Sequence, residues 1–64
     1  MTNHKYDVGQ TIRFRAPVGL SAAPGEYEVV RRLPPRNGDV EYRIKSRLEP
    51  YERVATEHQM SVTP

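Results

Sequence analysis

The sequence lacks cysteine, has no long apolar run and has no block of charge of a single sign. Without cysteine, neither a disulfide nor a cysteine-based zinc site can support the fold. No stretch approaches the roughly 18 apolar residues of a transmembrane helix, and the first ten residues lack the apolar core of a signal peptide. We therefore expect a cytoplasmic protein that is not embedded in a membrane.

The chain has 64 residues, which predicts a single domain. A domain of this size buries only about 60% of the surface that its unfolded chain exposes, so its core must be small. Residues 1–7 are polar and aperiodic, and we predict that they form a flexible tail, with Tyr6 able to fold back onto the barrel edge. Residues 8–64 are predicted to form the domain.

Alternation of apolar and charged side chains predicts β-strands, because successive side chains of a strand point to opposite faces. The clearest case is residues 40–45, and the segment 26–45 is interpreted as a central antiparallel hairpin. A short fourth strand is predicted at 52–55. Val8 has the same parity as Ile12 and Phe14, so it can extend the apolar row of the first strand. The predicted core consists of Ile12, Phe14, Tyr27, Val29, Tyr42, Ile44 and Val54.

The segments between these strands carry proline and glycine. Residues 16–25 predict an irregular, nearly uncharged loop in which Val18 or Leu20 points inward as a plug. The neighbouring pair Val29 and Val30 predicts a bulge or a stretch in which both faces of the strand are covered. Pro34 and Pro35 are expected to end ladder pairing, and a turn is predicted at 37–38 within a connection longer than a minimal hairpin.

Residues 56–60 suit a single 3₁₀ turn, with Met60 in the core and Val62 on a last short strand. These elements predict an all-β fold, a small SH3-like barrel of four to five antiparallel strands with that one 3₁₀ turn before the last strand.

Three short patterns resemble a group of very short bacterial proteins. They are Gly25-x-Tyr27-x-Val29-Val30 with Leu33-Pro34, then Tyr42-Arg43-Ile44-Lys45, and Glu52-Arg53-Val54-x-x-Glu57. The resemblance covers most of positions 6 to 60. It implies an SH3-like barrel and carries no assigned activity, since a fold does not define a function.

No catalytic or metal-binding pattern stands out. Ser21, Ser46 and Ser61 lie in loop-like or terminal stretches without a nucleophile elbow. His4 and His58 are expected to be solvated or capping residues, and they have no metal-ligand spacing with a neighbouring carboxylate. The sequence predicts no enzyme, no metal site and no cofactor.

A basic set is the strongest functional candidate. Its members, proposed to contact a nucleic acid or an acidic partner, are Arg13, Arg15, Arg31, Arg43 and Lys45. Parity leaves the orientation of Arg31 and Arg32 open because of the predicted bulge. Glu28 and Glu41 fall on the same outward rows and weaken the positive field.

Three functions remain open. The favoured one is a small module that docks on another protein through the loop at 16–25 or an exposed strand edge. The alternative is RNA or DNA binding through the arginine-rich sheet face. The least favoured is an enzyme, or an accessory subunit whose chemistry lies on a partner chain.

Overall fold

The computed structural model describes residues 4–62, and this part of the chain is all β except for one 3₁₀ turn. The strands are β1 Thr11–Phe14, β2 Glu26–Arg36, β3 Asp39–Lys45, β4 Glu52–Thr56 and β5 Met60–Val62. The 3₁₀ turn, Glu57–Gln59, lies directly before β5. The predicted fold class is confirmed.

All strand pairs are antiparallel, and their order is β4-β3-β2-β1-β5. The long strand β2 pairs with β1 near its start and with β3 along the rest of its length. Ala55 of β4 and Met60 of β5 belong to one buried cluster, so the two end strands of this order enclose a common core. This is the arrangement of a small SH3-like barrel.

The β2–β3 hairpin is tighter than the sequence suggests. Arg36 pairs with Asp39, which leaves only Asn37 and Gly38 in the turn. Both have positive φ, 53° and 82°, as a two-residue hairpin turn of this kind requires. The prediction of a longer connection is wrong.

Two irregularities interrupt the β2–β3 register. One lies between Val29 and Arg31, and it confirms the predicted bulge. The other lies between Leu33 and Arg36 and contains both prolines of β2. A bulge removes residues from the ladder, so it tolerates the missing proline N–H. The prolines therefore interrupt β2 without ending it, contrary to the prediction.

The core is built mainly from tyrosine and branched aliphatic side chains. Most of the predicted core residues are buried, and Phe14 packs against them with its ring centroid 5.4 Å from that of Tyr27. The buried apolar residues are Tyr6, Ile12, Tyr27, Val29, Tyr42, Ile44, Ala55 and Met60. The predicted burial of Met60 is thus confirmed.

Several apolar residues lie outside, contrary to prediction. Val54 is 49% exposed, and its neighbour Ala55 is the buried residue of β4 because the register sets Ala55 opposite the inward-facing Tyr42. Val8 is exposed. Neither Val18 nor Leu20 plugs the barrel, since both are exposed, and Ala23 packs against the core from that loop instead.

The segment 4–7 lies against the barrel. Tyr6 is only 2% exposed; its N–H donates to the Tyr42 hydroxyl at 3.1 Å, and its own hydroxyl donates to the Met60 carbonyl at 3.1 Å. Arg32 holds the same segment by donating to the Tyr6 carbonyl and to Asp7. The packed domain therefore includes residues 4–7, which the sequence assigns to the tail, while residues 1–3 of that tail lie outside the described residues.

The 3₁₀ turn has polar contacts to neighbouring elements. The Thr56 N–H donates to Gln59 Oε1 at 2.9 Å, which stabilises the first turn. The Tyr42 hydroxyl and the Lys5 N–H both donate to Glu57. Over residues 4–62, no helix is long and apolar enough to cross a membrane.

Candidate interaction surface

The outward side chains of β1 to β4 form one surface, here called the outer face. Most of them alternate with the core residues of their strand, whereas Arg31 and Leu33 face outward because they follow the bulge after Val29; the ladder registers set neighbouring strands side by side. The outer face consists of Thr11, Arg13, Glu26, Glu28, Val30, Arg31, Leu33, Glu41, Arg43, Lys45, Glu52, Val54 and Thr56.

Charges of opposite sign meet across most of the outer face. Glu28 lies opposite Lys45, and Lys45 lies opposite Glu52 on its other side. Arg13 lies opposite Glu26. Cross-strand neighbours of opposite charge stabilise a sheet modestly, so positive and negative charge balance locally in this part of the face.

Arg31 and Arg43 are the exception to this alternation. The bulge after Val29 shifts the register so that these two arginines become direct partners. It also turns Arg32 to the opposite face, where it lies opposite Tyr42 and contacts the N-terminal segment. The structure thus settles the two orientations that parity leaves open.

The structure places the residues of the predicted basic set in different environments. Arg13, Arg15 and Arg31 are exposed, and within residues 4–62 they form no ion pair. Arg43 lies 3.8 Å from Glu52. Lys45 is half-buried and donates to the carbonyls of the loop that follows β3, so its ammonium group helps to hold that loop.

A groove borders the outer face between the start of β2 and the loop after β3. Its volume is about 490 Å³. Val30 and Pro24 supply apolar lining, Leu48 on the opposite wall is 71% exposed, and Glu28 and Arg47 place both signs of charge at its rim. Such a mixture of apolar lining and a few charged groups is typical of protein-recognition surfaces.

The walls of this groove are held together by Glu49. Its carboxylate accepts from Arg53 Nε at 2.8 Å and Nη2 at 2.7 Å, which is a two-point contact. It also accepts from the Ala23 N–H at 3.0 Å, while Arg53 Nη2 donates to the Ser21 carbonyl at 3.0 Å. The loops at 16–25 and 46–51 are thereby joined through one carboxylate.

The protonation of Glu49 reflects these contacts. Hydrogen bonding from Arg53 is the largest influence, and against the opposing effect of burial it lowers the pKa of Glu49 to about 2. Burial, together with the charge of Glu49, raises the pKa of the adjacent Tyr27 hydroxyl. Glu49 is therefore a carboxylate and Tyr27 a neutral donor at neutral pH.

The Glu49 contacts could not be found from the sequence. Glu49 and Arg53 are four residues apart, the spacing that favours ion pairs on a helix, but they lie on a loop and a strand. Their partners Ser21 and Ala23 are distant in the sequence. The only signal is a glutamate in a polar, proline-containing loop, four residues before an arginine.

The polar residues considered for catalysis do not converge. Ser46 is buried and accepts from the Leu48 N–H at 3.0 Å, which is a turn contact. His58 lies beside Thr56, whereas His4 stacks edge-on against Tyr42 with ring centroids 5.2 Å apart. No group of three metal-ligating side chains occurs in the described part of the chain.

Comparison with protein-family models, with curated proteins and with solved structures found no match. The resemblance to short bacterial proteins therefore stays a prediction, and the function is argued from the surface alone.

Proposed function

We propose that the protein is a small docking module that binds another protein through its outer face and the adjoining groove. The observation that supports this most directly is Leu48. It is a large apolar side chain, exposed at the wall of a groove, on a loop whose geometry is fixed by Glu49 and Lys45.

A fixed loop lowers the entropy lost on binding, because its side chains need less ordering when a partner arrives. Val30 extends the apolar contact area across the groove, and Val54 adds an exposed apolar side chain beside Arg43. Polar and charged groups surround these residues, as at the rim of a protein interface. A cytoplasmic location for this docking stays a prediction.

Nucleic-acid binding has weaker support. A phosphate backbone requires a continuous positive surface, but Arg13 and Lys45 each face a glutamate across the ladder. The loop at 16–25, which the sequence offered as a docking site, presents Val18 and Leu20 to solvent, but neither residue lines the groove, which this loop borders through Pro24 and Gly25.

Site-specific photocrosslinking tests the proposal. A photoreactive benzoylphenylalanine is placed at Leu48 in one variant and at Val18 in a matched variant, and both are expressed in the cells from which the sequence derives. We expect one discrete, protease-sensitive adduct from the Leu48 position and none from Val18.

Two other crosslinking results would change the assigned surface or the assigned class of partner. Adducts from Val18 but not Leu48 would move docking to the loop at 16–25 and contradict the proposal. Adducts destroyed by ribonuclease would favour RNA, and binding to random RNA or DNA should then fall steeply as salt concentration rises.

A further inference from the structure

The Arg31–Arg43 pair is not explained by the fold of the isolated domain. Directly opposed residues of an antiparallel ladder have Cβ atoms about 4.5–5.5 Å apart, and like charges at that distance destabilise the sheet. Arg31 has no ion pair among residues 4–62, and the carboxylate nearest to Arg43 is that of Glu52, at 3.8 Å. The pair thus concentrates positive charge at one point of an otherwise balanced surface.

We propose that Arg31 and Arg43 together bind a carboxylate of the partner protein, presented by an acidic side chain next to an apolar one. This inference rests on the proposed docking function. A guanidinium group offers several N–H donors in a planar fork that matches a carboxylate. Two such groups on neighbouring strands can share one carboxylate, and the anion then removes the repulsion between them.

The position of the Arg31–Arg43 pair beside the groove indicates which side chain the partner should carry next to its carboxylate. Val30 lines the groove and directly precedes Arg31, while Lys45, which also lines it, is two residues from Arg43. Two residues along a strand span about 7 Å. An extended segment with acidic and apolar side chains two positions apart therefore fits the pair and the groove together.

The surrounding carboxylates favour a protein ligand over a polyphosphate chain. Glu28 and Glu52 flank the pair on one side, and Glu41 flanks it on the other. A strand of nucleic acid would bring further phosphates against these glutamates. A single carboxylate on a peptide reaches the two arginines without meeting them.

The test uses a short capped peptide that contains one glutamate and one leucine, with one serine between them. Its control has glutamine in place of glutamate, and a short polyuridylate represents nucleic acid. Binding is followed by amide chemical shifts of the full chain at millimolar peptide. We expect shifts at Arg31, Arg43 and the groove, and about tenfold weaker binding of the glutamine peptide.

Charge reversal at Arg31 separates binding from folding. Arg31→Glu creates an opposite-charge pair with Arg43, so it should abolish peptide binding while the melting temperature stays the same or rises by about 1–5 °C. Arg36→Gln, at the hairpin tip, is the matched control and should leave binding unchanged.

Several results would overturn the inference. These are no peptide binding at millimolar concentration, equal binding of the glutamine peptide, tighter binding of polyuridylate, or full peptide affinity in Arg31→Glu. A lower melting temperature in Arg31→Glu would contradict the repulsion between Arg31 and Arg43 on which the inference is built. Crosslinking from Leu48 tests the docking function separately, so a failure of the carboxylate site can be told apart from a failure of docking.

Discussion

Glu49 illustrates how much of this molecule depends on single polar side chains. Its one carboxylate joins β4, through Arg53, to the loop at 16–25, through Ala23. The residue is buried, and a buried carboxylate is tolerated only where donors replace water. The groove that carries the proposed function is therefore bordered by loops that an ion pair outside its lining joins.

The stability of the domain should accordingly depend on acid pH through Glu49. Because its pKa in the fold is about 2, below the value of 4.5 for an ordinary glutamate, its stabilisation is complete above pH 4.5. That stabilisation is lost as the pH falls from 4.5 towards 2. Glu49→Gln should lower the melting temperature at pH 7 and flatten its decline in acid, as thermal melts followed by circular dichroism would show.

A double-mutant cycle provides the control for this prediction. Arg53→Gln should have a similar effect, and the double variant should be little worse than either single variant, because both remove the same contact. Some acid dependence should persist through Glu57. Burial acts to raise the pKa of Glu57, but hydrogen bonds from Tyr42 and Lys5 lower it overall. An unchanged acid decline in Glu49→Gln would show that the Glu49–Arg53 ion pair does not stabilise the domain.

At the scale of elements, the segment 4–7 is a structural part of the barrel. Tyr6 packs against Tyr42 with ring centroids 5.7 Å apart, and it reaches β5 through the Met60 carbonyl. His4 Nε2 lies 2.9 Å from the Leu33 carbonyl on β2. Three elements of the sheet are thus bridged by a segment that has no regular secondary structure.

Removal of the Tyr6 side chain should consequently be severe. Tyr6→Ala is expected to cost about 3–5 kcal/mol, as for other buried aromatic residues. A domain of this size has only about 3–5 kcal/mol to lose, so much of the population should unfold at 25 °C. Tyr6→Phe, which loses only the hydroxyl contact, should cost about 1 kcal/mol.

The matched control is Val8→Ala, two residues further along. Val8 is exposed, so its truncation should change the free energy of unfolding by less than about 0.5 kcal/mol. Urea denaturation of the three variants measures all of these values. Equal effects at Tyr6 and Val8 would show that the segment 4–7 does not pack in solution.

The elements also show which predictions a sequence can support. Long alternating runs such as 40–45 define a strand and its buried face, and this was confirmed. In the short strand β4, alternation does not distinguish Val54 from Ala55, and the prediction that Val54 is the core residue is wrong. The register with β3 determines which residue is buried, because it places Ala55 opposite Tyr42 in the core. The bulky Tyr42 side chain leaves space there for a small neighbour.

At the scale of the whole molecule, the structure is a small core enclosed by one curved sheet. Its radius of gyration is 11.1 Å, close to the value of about 10.7 Å for a compact chain of this length. With so few buried residues, each large one carries a considerable share of the net stability. The core should thus unfold as one cooperative unit.

Two truncations test where that core lies. Ile44 is fully buried, and Ile44→Ala is expected to cost about 2–5 kcal/mol. Val54 is on the outer face, so Val54→Ala should cost less than about 0.5 kcal/mol. Thermal melts of both variants provide the comparison, and a nearly unshifted melt for Ile44→Ala would place the core elsewhere.

The candidate surface was less predictable from the sequence than the core. The alternation of side chains along β1 and β3 predicts which of their charged residues point outward. It could not place Arg31 opposite Arg43, because that pairing depends on a bulge whose position is set by the β2–β3 ladder. The groove arises where two loops meet, and contacts between segments so distant in the chain leave no periodic signal.

The contact between Tyr6 and Met60 has a mechanical consequence. The start of β1 and the end of β5 lie side by side, since Ile12 pairs with Val62 in antiparallel register. Tension applied through residues 4 and 62 would load the β1–β5 hydrogen bonds one after another rather than all together. The barrel should therefore yield to a small pulling force along this direction, with the Tyr6 contact breaking first.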